Sequence, residues 1–256
     1  MAHSFRKALN SYAPALTQLY REIRDKRDLA KPLPTPYDFM LAGPAGMAGS
    51  NWEVNEIRAF LGFIEERPAC IDIGANVGFY SCLAATRGKH VVAIEPLPRN
   101  VQFLCRNLAY NNLWDVEVYQ MALSSRPGVK QLWGRAHTAS LIRAWAGATD
   151  SEQVGVPVTT LDLIAAERFS GVPLTIKMDV ESFELEVLKG ASRTLRLEPK
   201  PAWLVEIFLT GIAIPGGINE KFHETFGVFW DNGYRSYQTA PGRPLVQPQE
   251  GNRWVG

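Results

Sequence analysis

The sequence predicts an α/β protein: a doubly wound, mostly parallel sheet with helices on both faces, in three layers. Three observations predict it. Short apolar runs at 70–73, 90–94, 174–180 and 202–209 have the length and composition of buried strands. Amphipathic stretches lie between them, the clearest with Leu97, Val101, Leu104, Cys105 and Leu108 at helical spacing. The run at 70–80, C-I-D-I-G-A-N-V-G-F-Y, passes from strand through a glycine turn into a helix, and about twenty residues later a second strand ends in an acid, the spacing of a βαβ unit.

The whole chain sets outer bounds. Its 256 residues suffice for one large α/β domain. Lys and Arg number 27 against 26 Asp and Glu, so no basic bias points to nucleic acid. No apolar run approaches a membrane span, and the first residues lack a signal-peptide core. Cys70, Cys82 and Cys105 lack metal-ligand spacing and read as buried reduced thiols, which implies a reducing, cytoplasmic setting.

In chain order, residues 4–28 have helical pattern, with Phe5, Leu9, Leu16, Leu19, Tyr20 and Ile23 as contacts and Pro14 as a kink or break. Such a helix packs on its own domain or on a partner subunit, so a homo-oligomer is one expectation. K-P-L-P-T-P at 31–36 must be extended, and L-A-G-P-A-G-M-A-G-S at 41–50 reads as a loop. Residues 1–50 are thus an N-terminal helix and Pro/Gly-rich linker, and 51–256 the main domain. Asn51 is placed as the cap of a helix through Glu53, Ile57 and Phe60 to Glu66. The helix after Glu95 ends at Asn111-Asn112, and 116–123 alternates as a single strand. Residues 124–157 form an inserted loop or hairpin near the substrate side, with strands at 129–133 and 154–158; Trp133, His137 and Trp145 are candidates to line a pocket. Thr160 caps a helix from 161 to 169. The strand at 174–180 ends in Asp179, Glu181 follows, and a helix starts at Ser182 with Glu184 and Glu186 in its first turn and Gly190 as its stop. Glu206 is the single charge in the strand at 202–209. A helix around 220–226 and a strand at 235–239 close the fold.

Chemistry concentrates at strand ends, where ligands bind in such sheets. Gly74 and Gly78 admit a ligand close to backbone, and Asn76 is placed as the helix cap that leaves N–H groups free. Asp72 is a costly acid in a core strand unless something cationic meets it. Glu95 is set to accept ribose hydroxyls; the other reading is a surface acid capping the helix near Leu97. A dinucleotide would call for G-x-G-x-x-G, whereas here the spacing is G-x-x-x-G after an acid. A nucleoside with a cationic tail fits better, and S-adenosylmethionine is one.

The run D-I-G-A-N-V-G-F-Y resembles the first motif of the FkbM-type S-adenosylmethionine-dependent methyltransferases, and I-K-M-D-V-E-S-F-E-L-E-V-L-K-G at 176–190 is similar to their second signature. The T-T-L-D-L-I segment at 159–164 is also similar, and the likeness runs from about 52 to 237. Ser182 stands where the family has glycine, and Phe208 where it has histidine. The resemblance implies the Rossmann-like class I fold with a seven-stranded sheet. It implies a cofactor site of Asp72, Gly74, Ala75, Asn76, Gly78, Glu95, Pro96, Met121, Ala122 and Asp179, with Met121 and Ala122 bordering adenine along with Gln120. The candidate base is Asp179, with Glu181 second; without an accompanying histidine, no metal is expected. The expected acceptor is a hydroxyl on a sugar, polyketide or peptide natural product. Two other readings stand beside this one: an NAD-dependent oxidoreductase using Glu95 on a ribose, and a cofactor-binding module without turnover.

Overall fold

The computed structural model describes residues 14–29, 31–134, 139–143, 145, 148, 153–210, 214, 217–242 and 244–246. Helix α1 is Pro14–Leu29; the expected contacts Phe5 and Leu9 lie outside the described residues. Arg99 ties α1 down, donating from Nε and Nη2 to the Asp25 carboxylate at 2.6 and 2.9 Å. The proline-rich linker is extended as expected, with Leu33–Pro34 paired antiparallel to Met40–Leu41. Helix α2, Val54–Glu65, starts from Glu53 and not from Asn51: Glu53 adopts φ 41°, which turns the chain into the helix.

Five strands form the main sheet: β1 (Ala69–Ile73), β2 (His90–Ile94), β3 (Glu117–Tyr119), β7 (Leu174–Met178) and β8 (Ala202–Val205). Their order is β8-β7-β1-β2-β3, and every pairing is parallel. The chain steps outward from β1 through β3, then returns to the other side of β1, so the switch point lies between β1 and β7. The seven strands implied by the family resemblance are not reached among the described residues. Ser236–Tyr237 and Leu245–Val246 pair with each other apart from this sheet.

Alternation along the strands builds two cores. Cys70, Val91 and Ala93 face α2, α3 (Phe79–Thr86) and α4 (Pro98–Tyr110), packing on Phe60, Phe79, Leu83 and Phe103. Ile71, Ile73, Ile94, Ile176 and Met178 face α5 (Leu161–Ala165), α6 (Glu184–Lys189) and α7 (Phe222–Asp231), packing on Leu161, Leu188 and Phe229. The three-layer arrangement follows from this period of two. Thr160 caps α5 through its hydroxyl, as expected, although α5 stops at Ala165. Cys70 and Cys82 are buried thiols; Cys105 is exposed, because it falls on the outer face of α4.

The single strand expected at 116–123 is two. β3 belongs to the main sheet, whereas β4 (Ala122–Leu123) turns away to pair parallel with β6 (Gln153–Thr159), which pairs antiparallel with β5 (Gly128–Trp133). Glu95 N–H takes the Tyr119 carbonyl at 3.1 Å, as does Met121 N–H at 3.0 Å, so the chain bends at that point. The expected hairpin is therefore a three-stranded sheet with its own small core of Ala122, Leu132, Val156 and Val158. No helix among the described residues is long and apolar enough to cross a membrane.

Gly74 and Gly78 serve packing inside the protein. A Cβ on Gly74 would stand 1.8 Å from the Asp179 carbonyl oxygen, and one on Gly78 2.4 Å from Leu104 Cδ1. Gly74 also has φ +76°, a region L side chains rarely adopt. Gly74→Ala is therefore expected to lower unfolding free energy by about 3 kcal/mol or more, measured by urea denaturation.

Candidate active site

The ends of β1, β2 and β7, together with β4 and the small sheet, enclose a cleft of about 590 Å³, part of it open to solvent. Ile73, Ile94, Met121, Leu132, Leu141 and Phe183 give it apolar walls, and Glu95, Asp179 and Glu181 give it three carboxyl groups. None of the described residues lining it is Lys, Arg or His.

Glu95 is buried. Its Oε2 accepts from Asn76 N–H at 2.8 Å; its Oε1 accepts from Leu97 N–H at 2.9 Å and Asn100 Nδ2 at 3.3 Å. The two sequence readings of this residue thus meet: Glu95 lines the cleft, and it also holds the start of α4. Burial pushes its pKa up to about 7 against the pull of those donors. Asn76 does not cap α3. It takes φ 52° and presents its N–H to Glu95, while Gly78 occupies the cap position.

Asp72 departs most from its expected place. In β1 it alternates with Ile71 and Ile73, so its side chain faces the α2–α3 side while Ile73 lines the cleft. Its Oδ2 accepts from Ser81 Oγ at 2.6 Å, and Oδ1 is buried without a partner. Beside it in register on β7 is Lys177, buried, with Nζ 3.1 Å from Asp179 Oδ2 and 5.1 Å from the Tyr80 ring centroid. Burial works against the ammonium charge of Lys177, but Asp179, Asp72 and Glu53 outweigh it and its pKa rises. Tyr80 donates to Glu53 Oε2 at 2.6 Å. Asp179 therefore sits at a junction: it borders the cleft, it pairs with Lys177, and its charge adds to burial in raising the carboxyl of Glu206, just past the neighbouring strand.

The segment after Asp179 is held in an uncommon shape. Glu181 and Ser182 have φ 54° and 66°. The Glu184 carboxylate accepts from Ser182 N–H at 3.0 Å, and Ser140 Oγ donates to the Glu181 carbonyl at 2.7 Å. Left-handed φ at Ser182 gives the physical reason for a glycine at this place in the family signature.

Of the residues placed at the site by sequence, Gly74, Asn76, Glu95, Pro96, Met121, Ala122, Asp179 and Glu181 line the cleft; Asp72, Ala75 and Gly78 do not. Trp133 and Trp145 are buried away from its lining, and His137 lies outside the described residues. Sequence reading missed Asn100, Ser140, Phe183 and Lys177. Lys177 had a signal: a lone charge within an apolar strand, two residues before an acid.

A model of the methyltransferase FkbM domain matches residues 72–236. The chain belongs to the FkbM methyltransferase family. The hexuronic acid methyltransferase AglP of Haloferax volcanii is 30% identical over 146 residues, which are 56% of this chain and 58% of that protein. Two solved structures are similar in part. The precorrin-6y C5,15-methyltransferase of Geobacter metallireducens has TM-score 0.43 at 11% identity, over 80% of this chain and 88% of that one. A SAM-dependent methyltransferase of Agrobacterium tumefaciens has TM-score 0.43 at 10% identity, over 79% and 57%.

The family's cofactor is S-adenosylmethionine, and the cleft has the chemistry for it. A cationic nucleoside meets apolar walls and three carboxyl groups there, and Glu95 Oε2 keeps a lone pair beyond the one taken by Asn76.

Two expectations follow. Ser182→Gly relieves a left-handed serine and removes a buried hydroxyl that has no partner, so it should raise unfolding free energy by about 1 kcal/mol. Burial, the largest cause in each case, raises the carboxyl groups of Glu95 and Glu181 to about 7 and that of Glu184 to about 8. Between the ordinary carboxyl value and these, the folded chain binds more protons than the unfolded one. Stability of the ligand-free protein should accordingly fall as pH rises from about 5 to 8, read as a declining urea midpoint.

Proposed function

We propose that the chain methylates a hydroxyl group of a small molecule, a sugar or a related natural product, using S-adenosylmethionine. The observation that carries the cofactor half is the cleft's lining, with three carboxyl groups and, among the described residues, no cationic side chain. A nicotinamide dinucleotide would bring a diphosphate into a cleft with three carboxyl groups, a repulsive arrangement that no lysine, arginine or histidine among the described lining residues offsets. When bound, S-adenosylmethionine supplies a methyl group already activated by its sulfonium.

The chain's own groups do the rest. Glu95 holds the ribose edge through its remaining lone pair, and Ile94, Met121 and Leu132 enclose the base. Asp179 orients the acceptor hydroxyl and receives its proton, a role worth typically 10²–10⁴-fold. Lys177 fixes the Asp179 carboxylate through its ion pair at 3.1 Å. Glu181, on the same wall of the cleft, is the second candidate. Buried thiols at Cys70 and Cys82 support a cytoplasmic, reducing setting for a domain taken as 51–256. The sugar acceptor rests on the Haloferax volcanii relative, of which this chain spans 58%.

Calorimetry should show S-adenosylmethionine binding and no binding of NAD; preference for NAD would exclude this reading. Glu95→Gln, which keeps the size and one acceptor oxygen, should weaken S-adenosylmethionine by roughly 1.5–3 kcal/mol. Asp179→Asn should lower turnover by roughly 10²–10⁴ while cofactor affinity changes little. Loss of cofactor affinity with the saturated rate intact would instead assign Asp179 to the cofactor.

A further inference from the structure

A line of side-chain hydrogen bonds runs from the N-terminal helix to the cleft. On α1, the Asp25 carboxylate accepts two bonds from Arg99, at 2.6 and 2.9 Å. The Arg99 guanidinium lies 4.6 Å from the centre of the Phe103 ring, and its Nη1 donates to Asn100 Oδ1 at 3.2 Å. Asn100 Nδ2 donates in turn to Glu95 Oε1 at 3.3 Å. Asn100 stands in the first turn of α4, is 3% exposed and lines the cleft. Asp25 and Arg99 lie outside the lining.

The order of donors along this line selects one orientation of the Asn100 amide. With Oδ1 toward Arg99 and Nδ2 toward Glu95, each donor meets an acceptor. The flipped amide would set Nδ2 against the Arg99 N–H and Oδ1 against the Glu95 carboxylate, two mismatches at once. Arg99 thus turns the donating side of the amide to Glu95, and Asp25 holds Arg99 in place. The other donors to Glu95 are the backbone N–H groups of Asn76 and Leu97, which most residue types would supply. Asn100 is the side chain whose identity matters to this carboxyl.

We propose that Asn100, oriented by Arg99 and Asp25, is a positioning residue for the cofactor: it keeps the Glu95 carboxyl charged and turned so that Oε2 meets the ribose. The proposal rests on the assignment of Glu95 to the ribose and adds what controls that group. Burial raises the Glu95 carboxyl to about 7, while its bonds from Leu97, Asn76 and Asn100 act against burial. The other ionisable groups around it are Asp72 on β1, Arg99 behind Asn100, Tyr119 at the end of β3, and Asp179 and Glu181 on the same cleft. A residue of α1 therefore bears on cofactor affinity without touching the cleft.

Calorimetry of the full chain with S-adenosylhomocysteine, from about pH 6 to 9, tests this through the charge of Glu95. Affinity should rise with pH, with a midpoint that Glu95→Gln abolishes. Asn100→Asp keeps the shape of the side chain and removes the donor; Asn100→Ala removes both. Each should move the midpoint upward by roughly half to one pH unit and weaken binding at about pH 7 by about three- to tenfold. Near pH 9 the carboxyl is charged in all three proteins, and their affinities should converge to within about twofold. Arg99→Met, which frees the amide to turn, should move the midpoint the same way by less. In a Glu95→Gln background none of these changes should alter affinity. A role in packing alone would survive Asn100→Asp with the midpoint unmoved, and that result overturns the proposal while the methyltransferase reading stands. Should the Asn100 variants not fold, an unmoved midpoint in Arg99→Met overturns it equally. A midpoint that persists in Glu95→Gln overturns it by removing Glu95 from the ribose. Absence of S-adenosylhomocysteine binding to the unaltered chain would overturn the cofactor reading, and the proposal with it.

Discussion

One buried ammonium organises the centre of this protein. Lys177 lies on β7, beside Asp72 on β1, under the ring of Tyr80 and within 3.1 Å of Asp179. A lysine so enclosed is tolerated because carboxylates surround it; without one of them it would be a buried charge lacking compensation. The contacts also join β1 and β7 to the start of α2, since Lys177 stands beside Asp72 and under Tyr80, which bonds Glu53. The glycine turn, the α2 cap and the segment after β7 therefore have their relative positions fixed by charge as much as by packing. The cleft inherits its shape from that arrangement.

Much of this was legible in the sequence. Strand runs of the right length, helical spacing after Glu95 and the Thr160 cap all reappear in the structure. Each is a local matter of periodicity or capping. Asp72 was harder: it was read as a buried acid needing a cation, and the structure sets Lys177 beside it, in register on the next strand. Which face a strand residue takes depends on both neighbouring strands, and a single sequence does not display that pairing. The packing role of the glycines was hidden for a similar reason. Their partners, Asp179 and Leu104, are about a hundred and about thirty residues away in the chain, and only the folded sheet brings them close.

The break after β3 shows where periodicity misleads. Residues 116–123 read as one alternating strand, yet Met121 N–H and Glu95 N–H both donate to the Tyr119 carbonyl, and the chain leaves the main sheet. Alternation specifies a strand but does not say which sheet it joins. The substitution of serine for the family's glycine at position 182 was visible at once, but its meaning required the φ of 66°.

The cleft's two walls belong to different sheets. Ile73, Ile94 and Asp179 come from the five parallel strands, and Leu132, Ser140 and Leu141 from the small sheet and the loop it carries, joined through Met121 and the Ser140–Glu181 bond. Such a division separates two kinds of evolutionary change. Insertions and substitutions in the small sheet can reshape one wall without disturbing the register of the strands that carry Glu95 and Asp179. A lineage can thus alter the molecules admitted to the cleft while the sheet that positions the reaction is inherited intact.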